Sequence, residues 1–205
     1  MTSIRGWGET ILSGGLADNN ETERGLKIII KETKRLAQMV EELLDFSKME
    51  ANRLVLIKET TDIKAELKEV IQIFELRARK EGFTLTYRCL ADIPLITADK
   101  NRLRQVFINI LDNAMKFSPS GKTITVEIQR DPQNIKIMFA DQGMGMSEED
   151  IQKATENFYK GNPQKPGNGL GLAICDKIIK SHSGVLSIES KINQGTIVTL
   201  LLPQD

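Results

Sequence analysis

Only two cysteines, Cys89 and Cys175, occur in 205 residues. They lie far apart and match no metal-ligand spacing, so both read as small buried residues of a reducing compartment rather than as a disulfide. Net charge is also missing. Twenty-eight basic residues balance 28 acidic ones, which leaves no field to attract nucleic acid or anionic lipid. No apolar run approaches the roughly 20 residues of a membrane span, and no signal peptide opens the chain. Internal repeats and low-complexity segments are lacking as well. Histidine is reduced to one residue, His182, in the corner Ser181-His182-Ser183-Gly184. These absences describe a soluble, cytosolic chain of ordinary composition. Its length suits one large domain, or a smaller one joined to a helical segment.

What is present is strongly patterned. Ile4, Trp7 and Ile11 fall at helical spacing over residues 2–12. Ser13-Gly14-Gly15 breaks that helix, and Asp18-Asn19-Asn20 offers turn and N-cap candidates for the next. There Leu26, Ile29, Thr33, Leu36, Val40, Leu43 and Ser47 recur at alternating steps of three and four, a heptad seam. Ile30, Ala37 and Leu44 widen the apolar stripe, which favours a helical hairpin pairing into a four-helix bundle. Beyond about residue 52 the pattern becomes mixed. Leu54 to Ile57 reads as a strand, and Asp62 to about Arg79 as a helix. Phe83, Leu85, Tyr87 and Cys89 alternate as in a half-buried strand. A helix follows from about Asp99 to Phe117, and two alternating strands carry Ile124, Val126, Ile128 and Ile135, Ile137, Phe139 on one face. A short helix near Ser147, another from about Leu170 to Ser181, and strands near 185–190 and 196–202 complete the chain. The fold class is α+β: a helical hairpin over residues 1–52, then a two-layer α/β sandwich over residues 53–205.

Four short motifs carry chemistry. On the helix from Asp99, Leu103, Val106, Ile110, Ala114 and Phe117 form a core face, and Asn109, Asn113 and Lys116 share a stripe beside it. Amide oxygens are hard, neutral ligands suited to Mg²⁺, and a lysine balances phosphate charge. Asp141-Gln142-Gly143-Met144-Gly145 ends an apolar strand in a glycine turn. A carboxylate there can accept from the exocyclic amine of adenine and repels the carbonyl of guanine. Gly167-Asn168-Gly169-Leu170-Gly171-Leu172 opens a helix whose free N–H groups can cradle phosphates. It follows no strand of a βαβ unit and lacks a P-loop lysine. Between these lie Phe158-Tyr159 and the polar segment Lys160 to Pro166, suited to a lid. Phe158 alone fits a core residue as well as a lid anchor.

In this order and spacing the motifs closely resemble the catalytic domain of bacterial sensor histidine kinases. Residues 100–117 resemble the family's N box, Asp141 to Gly145 its first glycine box, Phe158-Tyr159 its F box, and Gly167 to Gly171 its second glycine box. Leu43-Leu44-Asp45-Phe46-Ser47-Lys48 resembles the end of the dimerisation and phosphotransfer domain. The resemblance implies ATP and Mg²⁺ as cofactors. Asn113 would bind the metal with support from Asn109, and Lys116 would meet phosphate. Asp141 would take the adenine amine. Phe117, Gly143, Gly145, Tyr159, Lys160, Gly167, Gly169, Leu170, Gly171 and Leu172 would line the nucleotide. Asn109, Lys116 and Lys160 are the implied catalytic residues, although Lys160 stands where many relatives carry an arginine. Hydrolases of the same superfamily carry a glutamate base where this chain has Asn109, and an amide cannot take a proton from water. That departure favours transfer to a protein side chain.

The resemblance further implies a homodimer through the hairpin, a response-regulator receiver domain as partner, and no nucleic acid. Membrane attachment would come only through a segment upstream. The family's acceptor histidine stands just before residues resembling Thr2-Ser3-Ile4-Arg5-Gly6. The expectation is therefore a cytoplasmic piece of a bacterial membrane protein that handles ATP without labelling itself. An ATPase of the same superfamily and a nucleotide-gated dimerisation module are the competing readings.

Overall fold

Trp7 and Ile11 explain the first helical contact. In this computed structural model, which describes residues 2–12, 19–50, 55–119, 121–162 and 167–204, α1 (Thr2–Leu12) and all but the last two residues of α2 (Asn19–Glu50) belong to one unit, Met1–Lys48. Gly25 of α2 is buried, and a Cβ there would stand 2.5 Å from Trp7 Cε3 and 3.2 Å from Ile11 Cδ1. The missing side chain is what lets the indole lie on α2. The seam is a different matter: Leu26, Ile30, Val40, Leu43 and Leu44 are all exposed. The expected break at Ser13-Gly14-Gly15 and the Asp18 cap lie outside the described residues.

The second unit, Met49–Asp205, is a two-layer α/β sandwich. Helix α3 (Ile63–Glu81) starts at Asp62, whose carboxylate accepts from Ala65 N–H. Helix α4 (Lys100–Phe117) starts at Asp99, which accepts from the N–H groups of Asn101 and Arg102. Both use an N-cap oxygen to satisfy first-turn donors. A short α5 (Glu148–Lys153) carries the capping box of Ser147 and Asp150, and α6 (Gly171–Ser181) follows the glycine loop. The strands are β1 (Glu59–Thr61), β2 (Thr84–Cys89), β3 (Ile96–Ala98), β4 (Thr123–Arg130), β5 (Asn134–Ala140), β6 (Val185–Lys191) and β7 (Gly195–Pro203). β1 and β3 form an antiparallel pair, and the main sheet runs β2-β4-β5-β7-β6 with only β2 and β4 parallel.

Alternation decides which face of the sheet is covered. Ile124, Val126, Ile128, Ile135, Ile137 and Phe139 are buried, and so are Leu67, Val70, Phe74, Leu103, Val106, Phe107, Ile110, Ile174 and Ile178 from α3, α4 and α6. Phe107 and Phe139 meet across the two layers with ring centroids 6.1 Å apart. Arg104 pairs with Glu66 and Glu69, and Arg77 with Asp112, so ion pairs link the exposed side of α3 to α4.

Two expectations change. Leu54 of the expected strand lies outside the described residues, and the rest of the run to Ile57 is not a strand: residues 55–58 have no regular structure, and Val55 and Ile57 are 81% and 79% exposed. The ladder forms just beyond the run, where Glu59–Thr61 pairs with Ile96–Ala98, while Ile57 N–H donates to Asp99 Oδ2 at 2.9 Å. Propensity alone cannot make a strand without a partner. Phe117 leaves the expected core face of α4 and is only half-buried, whereas Phe107, Leu111 and Met115 join it.

Candidate functional site

The polar stripe of α4 survives folding. Asn109, Asn113 and Lys116 are all half-buried beside the core face. Asn109 Nδ2 is buried with no hydrogen-bond partner among the described residues, an exception to the rule that buried polar atoms are paired. Lys116 Nζ stands 4.7 Å from the Phe117 ring centroid, within the range of a cation–π contact. The same ammonium lies 2.8 Å from where a Cβ on Gly167 would be. The end of α4 and the second glycine loop therefore meet at Lys116, although 51 positions separate the two residues (167 − 116).

Asp141 follows directly on β5. Its Oδ1 accepts from Gly143 N–H at 2.7 Å and Thr196 N–H at 3.3 Å. Burial nevertheless pushes the carboxyl above its ordinary pKa, opposed by those two N–H groups and by the Ser118 hydroxyl. The turn is fastened to α4, because Met144 N–H donates to Phe117 O at 3.2 Å. Gly143 is buried against that same carbonyl. Gly145 takes φ +66°, and any Cβ there would overlap Lys191 O, so the half-buried turn admits only glycine. A partly desolvated carboxylate at the mouth of a glycine turn can receive an exocyclic amine.

Ser118 and Thr196 were missed by sequence reasoning. Ser118 adjoins Phe117 in the chain, which was the one available signal. Thr196 reaches Asp141 only through the pairing of β5 with β7.

Around the second glycine loop the picture is mixed. Phe158 is 55% exposed with φ +63°, so the core reading fails for it. A bulky residue in the left-handed region is strained. Gly169, at φ +76°, is closed in by the backbone of Phe158 and Tyr159: a Cβ would be 2.5 Å from Tyr159 O. The two motifs are thus in main-chain contact. Tyr159 turns to α5, donating its hydroxyl to Asp150 Oδ1 at 2.7 Å; that bond to a carboxylate raises the phenol's pKa. Lys160 is half-buried. Residues 163–166 of the expected lid lie outside the described residues.

Leu170 sends its side chain into the core, so only its backbone could meet a ligand. It gives α6 no side-chain cap. Leu172 is half-buried, and Gly171 has open space where a Cβ would stand. Among the described residues nothing crowds Gly171, which leaves the helix start open to a ligand.

His182 is excluded from this chemistry by its own bonds. It is 4% exposed, Nδ1 donates to Ile178 O at 2.8 Å, and Nε2 accepts from Asp99 N–H at 3.0 Å. Both ring nitrogens are used, and burial lowers the pKa. The residue joins the end of α6 to the start of α4.

Residues 98–205 match the family model described as histidine kinase-, DNA gyrase B-, and HSP90-like ATPase, and residues 1–52 match the His Kinase A (phospho-acceptor) domain. The chain belongs to the sensor histidine kinases. It is 31% identical over 209 residues to the sensor protein SrrB of Staphylococcus aureus strain MRSA252, covering 100% of this chain and 36% of that protein. This kinase sequence thus spans about a third of the length of that relative. In structure it is similar to the histidine kinase AdeS of Acinetobacter baumannii, with a TM-score of 0.78 and 25% identity over 100% of this chain and 94% of that one. The histidine kinase ThkA, solved in complex with the response regulator protein TrrA, gives a TM-score of 0.77 at 25% identity over 99% of this chain and 58% of that one. The sandwich is accordingly a domain of the histidine kinase-, DNA gyrase B-, and HSP90-like ATPase family. Among the described residues no helix is long and apolar enough to cross a membrane.

Proposed function

We propose that this chain binds Mg·ATP in the sandwich and transfers the γ-phosphoryl group to a histidine of the phosphotransfer domain, for relay to an aspartate of a response-regulator receiver domain. The observation that carries the reading is the convergence of Lys116 and Gly167, which puts an ammonium from α4 at the loop that opens α6. An ammonium beside uncapped helical N–H groups is an anion site. Asp141 would hold the adenine amine. Gly169, Gly171 and Leu172 would present backbone to the phosphates.

The amides suit a divalent ion. Asn109 has a buried, unpaired side-chain atom, and its oxygen and nitrogen are interchangeable by a flip. Among the described residues no group of three or more His, Cys, Asp or Glu could hold a metal, so the donors fit Mg²⁺ shared with phosphates and waters. Asn113, supported by Asn109, would hold this Mg²⁺, which neutralises phosphate charge when bound. In the transfer, an imidazole nitrogen forms a bond to the γ-phosphorus and the bond to the β–γ bridging oxygen breaks, releasing ADP. Lys116 lies where it can compensate charge on the phosphates, and Lys160 is in sequence reach of the same loop. Relay then moves the phosphoryl group from nitrogen to a carboxylate oxygen of the partner. Asn109 offers no base to a water nucleophile, which favours transfer over hydrolysis.

The domain boundary is proposed at residues 52 and 53. Homodimerisation is proposed through α2, whose exposed Leu26, Ile30, Val40, Leu43 and Leu44 make an apolar seam suited to a second copy. The ThkA complex with TrrA supports the response regulator as the partner class. The proposed setting is cytoplasmic. Calorimetry with Mg·ATP on the chain and on Asn113→Ala tests the site: the variant should lose the Mg²⁺-dependent part of binding. Steady ATP turnover by the unaltered chain, lost in Asn113→Ala, would instead identify an ATPase.

A further inference from the structure

Ser118 ends α4 in an extended conformation, φ −94° and ψ 145°, with its N–H donated to Ala114 O. The residue is 8% exposed, and its hydroxyl oxygen is buried with no hydrogen-bond partner among the described residues. An unmade hydrogen bond in such a place costs stability, and a serine C-cap has no need of its hydroxyl here because the backbone already closes the helix. The turn that carries Asp141 is nonetheless fastened to this helix end: Met144 N–H donates to Phe117 O at 3.2 Å, and a Cβ on Gly143 would stand 2.7 Å from both Phe117 O and Asp141 Oδ1. The hydroxyl is accordingly one of three groups that act on the Asp141 carboxyl against burial. The other two are the N–H groups of Gly143 and Thr196, and both go to Oδ1.

Among the described residues no charged side chain is one of the groups acting on Asp141. From β7 it meets Thr196 and Gly195 and from its own turn Gly143, which Phe117 O at the end of α4 closes in from the other side. Lys116, the nearest cation along α4, is over the Phe117 ring instead. Oδ1 is therefore held from two sides by backbone, and Oδ2 has neither of those donors. A hydroxyl is a small neutral group that can rotate to donate to Oδ2 when an amine arrives on its other lone pair.

We propose that Ser118 is a positioning residue for base recognition, whose buried hydroxyl donates to the Asp141 carboxylate and holds it turned toward the exocyclic amine of the nucleotide. The inference rests on the reading of Asp141 as the adenine acceptor. Its consequence is a coupling between Ser118 and the pH dependence of binding. The hydroxyl opposes protonation of Asp141, so its loss should move the acid limb of ATP affinity to higher pH.

The test measures ATP, GTP and tripolyphosphate binding to the full chain and to Ser118→Ala, Ser118→Thr, Ser118→Cys and Asp141→Asn across the acid-to-neutral range. Ser118→Ala should weaken ATP binding on the order of 3- to 10-fold, the size of one lost hydrogen bond. It should shift the acid limb upward and leave tripolyphosphate unchanged. Ser118→Thr should restore affinity and limb, and Ser118→Cys, a near match in volume with a weaker donor, should fall between. If Asp141→Asn loses ATP affinity while Ser118→Ala and Ser118→Cys keep the original affinity and limb, the inference fails and the Asp141 reading stands. Equal weakening toward ATP and tripolyphosphate would assign Ser118 to helix-end structure alone. Should Asp141→Asn bind ATP as tightly as the unaltered chain, the underlying reading fails and the inference with it.

Discussion

The two units bury their apolar residues differently. In the sandwich the periodic positions of β4, β5, α4 and α6 are nearly all buried, whereas five periodic positions of α2 are about half exposed. A sheet face covered by three helices completes its own core. A helix with a heptad seam and one short neighbour does not, and its remaining surface is where a second copy would add burial. Stability and function are thus separable between the units, and four changes test how far.

The largest effect is expected from Phe107→Ala. Phe107 is fully buried against Phe139, so its loss should destabilise the sandwich by about 3–5 kcal/mol. Denaturant unfolding should show one transition moving while the helical unit keeps its oligomeric state. Were both to collapse together, the units would not be independent.

Leu43→Asp in α2 should act in the opposite sense. A carboxylate in an apolar seam must be desolvated on pairing, which costs several kcal/mol, so sedimentation should show the dimer weakened on the order of 100-fold or more. Thermal unfolding of the sandwich should be unchanged, and an equal loss in both would remove the distinction.

Asp141→Asn sharpens the comparison within the sandwich, between what stabilises and what binds. Burial raises the folded-state pKa of Asp141. Its contribution to stability is therefore fully present only below the unfolded value and is lost as pH rises through the raised value, so the ionised group destabilises the fold at neutral pH. The neutral amide should leave the melting temperature at pH 7 equal or higher. It should cost about 1–3 kcal/mol in ATP binding by placing a donor against the adenine amine. ATP and GTP bound equally by the unaltered chain would remove base recognition from Asp141.

The smallest effect belongs to His182. Its folded-state pKa is lowered, so its contribution is complete above the unfolded value of about 6.5 and is lost as pH falls from there toward the lowered value. Protonation would put a hydrogen on Nε2 where Asp99 N–H needs an acceptor. The sandwich melt should drop between about pH 7 and about pH 5 and flatten in His182→Gln, with dimerisation unmoved. Incubation of the chain with labelled ATP should give no phosphohistidine at His182, and a signal abolished by His182→Ala would overturn that.

The helices of the sandwich and the strands β2, β4, β5, β6 and β7 were legible from period alone, with ends shifted by a residue or two. So were the motifs Asn109 to Lys116, Asp141 to Gly145 and Gly167 to Leu172. β3 was not read at all, because Ile96-Thr97-Ala98 is too short to show alternation. The run at Val55 misled for the converse reason, being rich in strand formers without a partner strand. Phe158 could not be assigned, since an exposed aromatic at positive φ looks in sequence like any core aromatic.

By itself the sequence determined the periodic elements, the order of the nucleotide motifs and the family. These depend on covalent spacing along one helix or strand, where residues two, three or four apart share a face. Only the tertiary structure decided that Lys116 meets Gly167, that Ser118 and Thr196 gather on Asp141, and that His182 is consumed by Asp99 and Ile178. Apart from His182 with Ile178, one helical turn away, those contacts join residues 23 to 83 positions apart, from Ser118 with Asp141 (141 − 118) to Asp99 with His182. Their geometry is set by how helices seat on the sheet, a property of packing that no local pattern encodes.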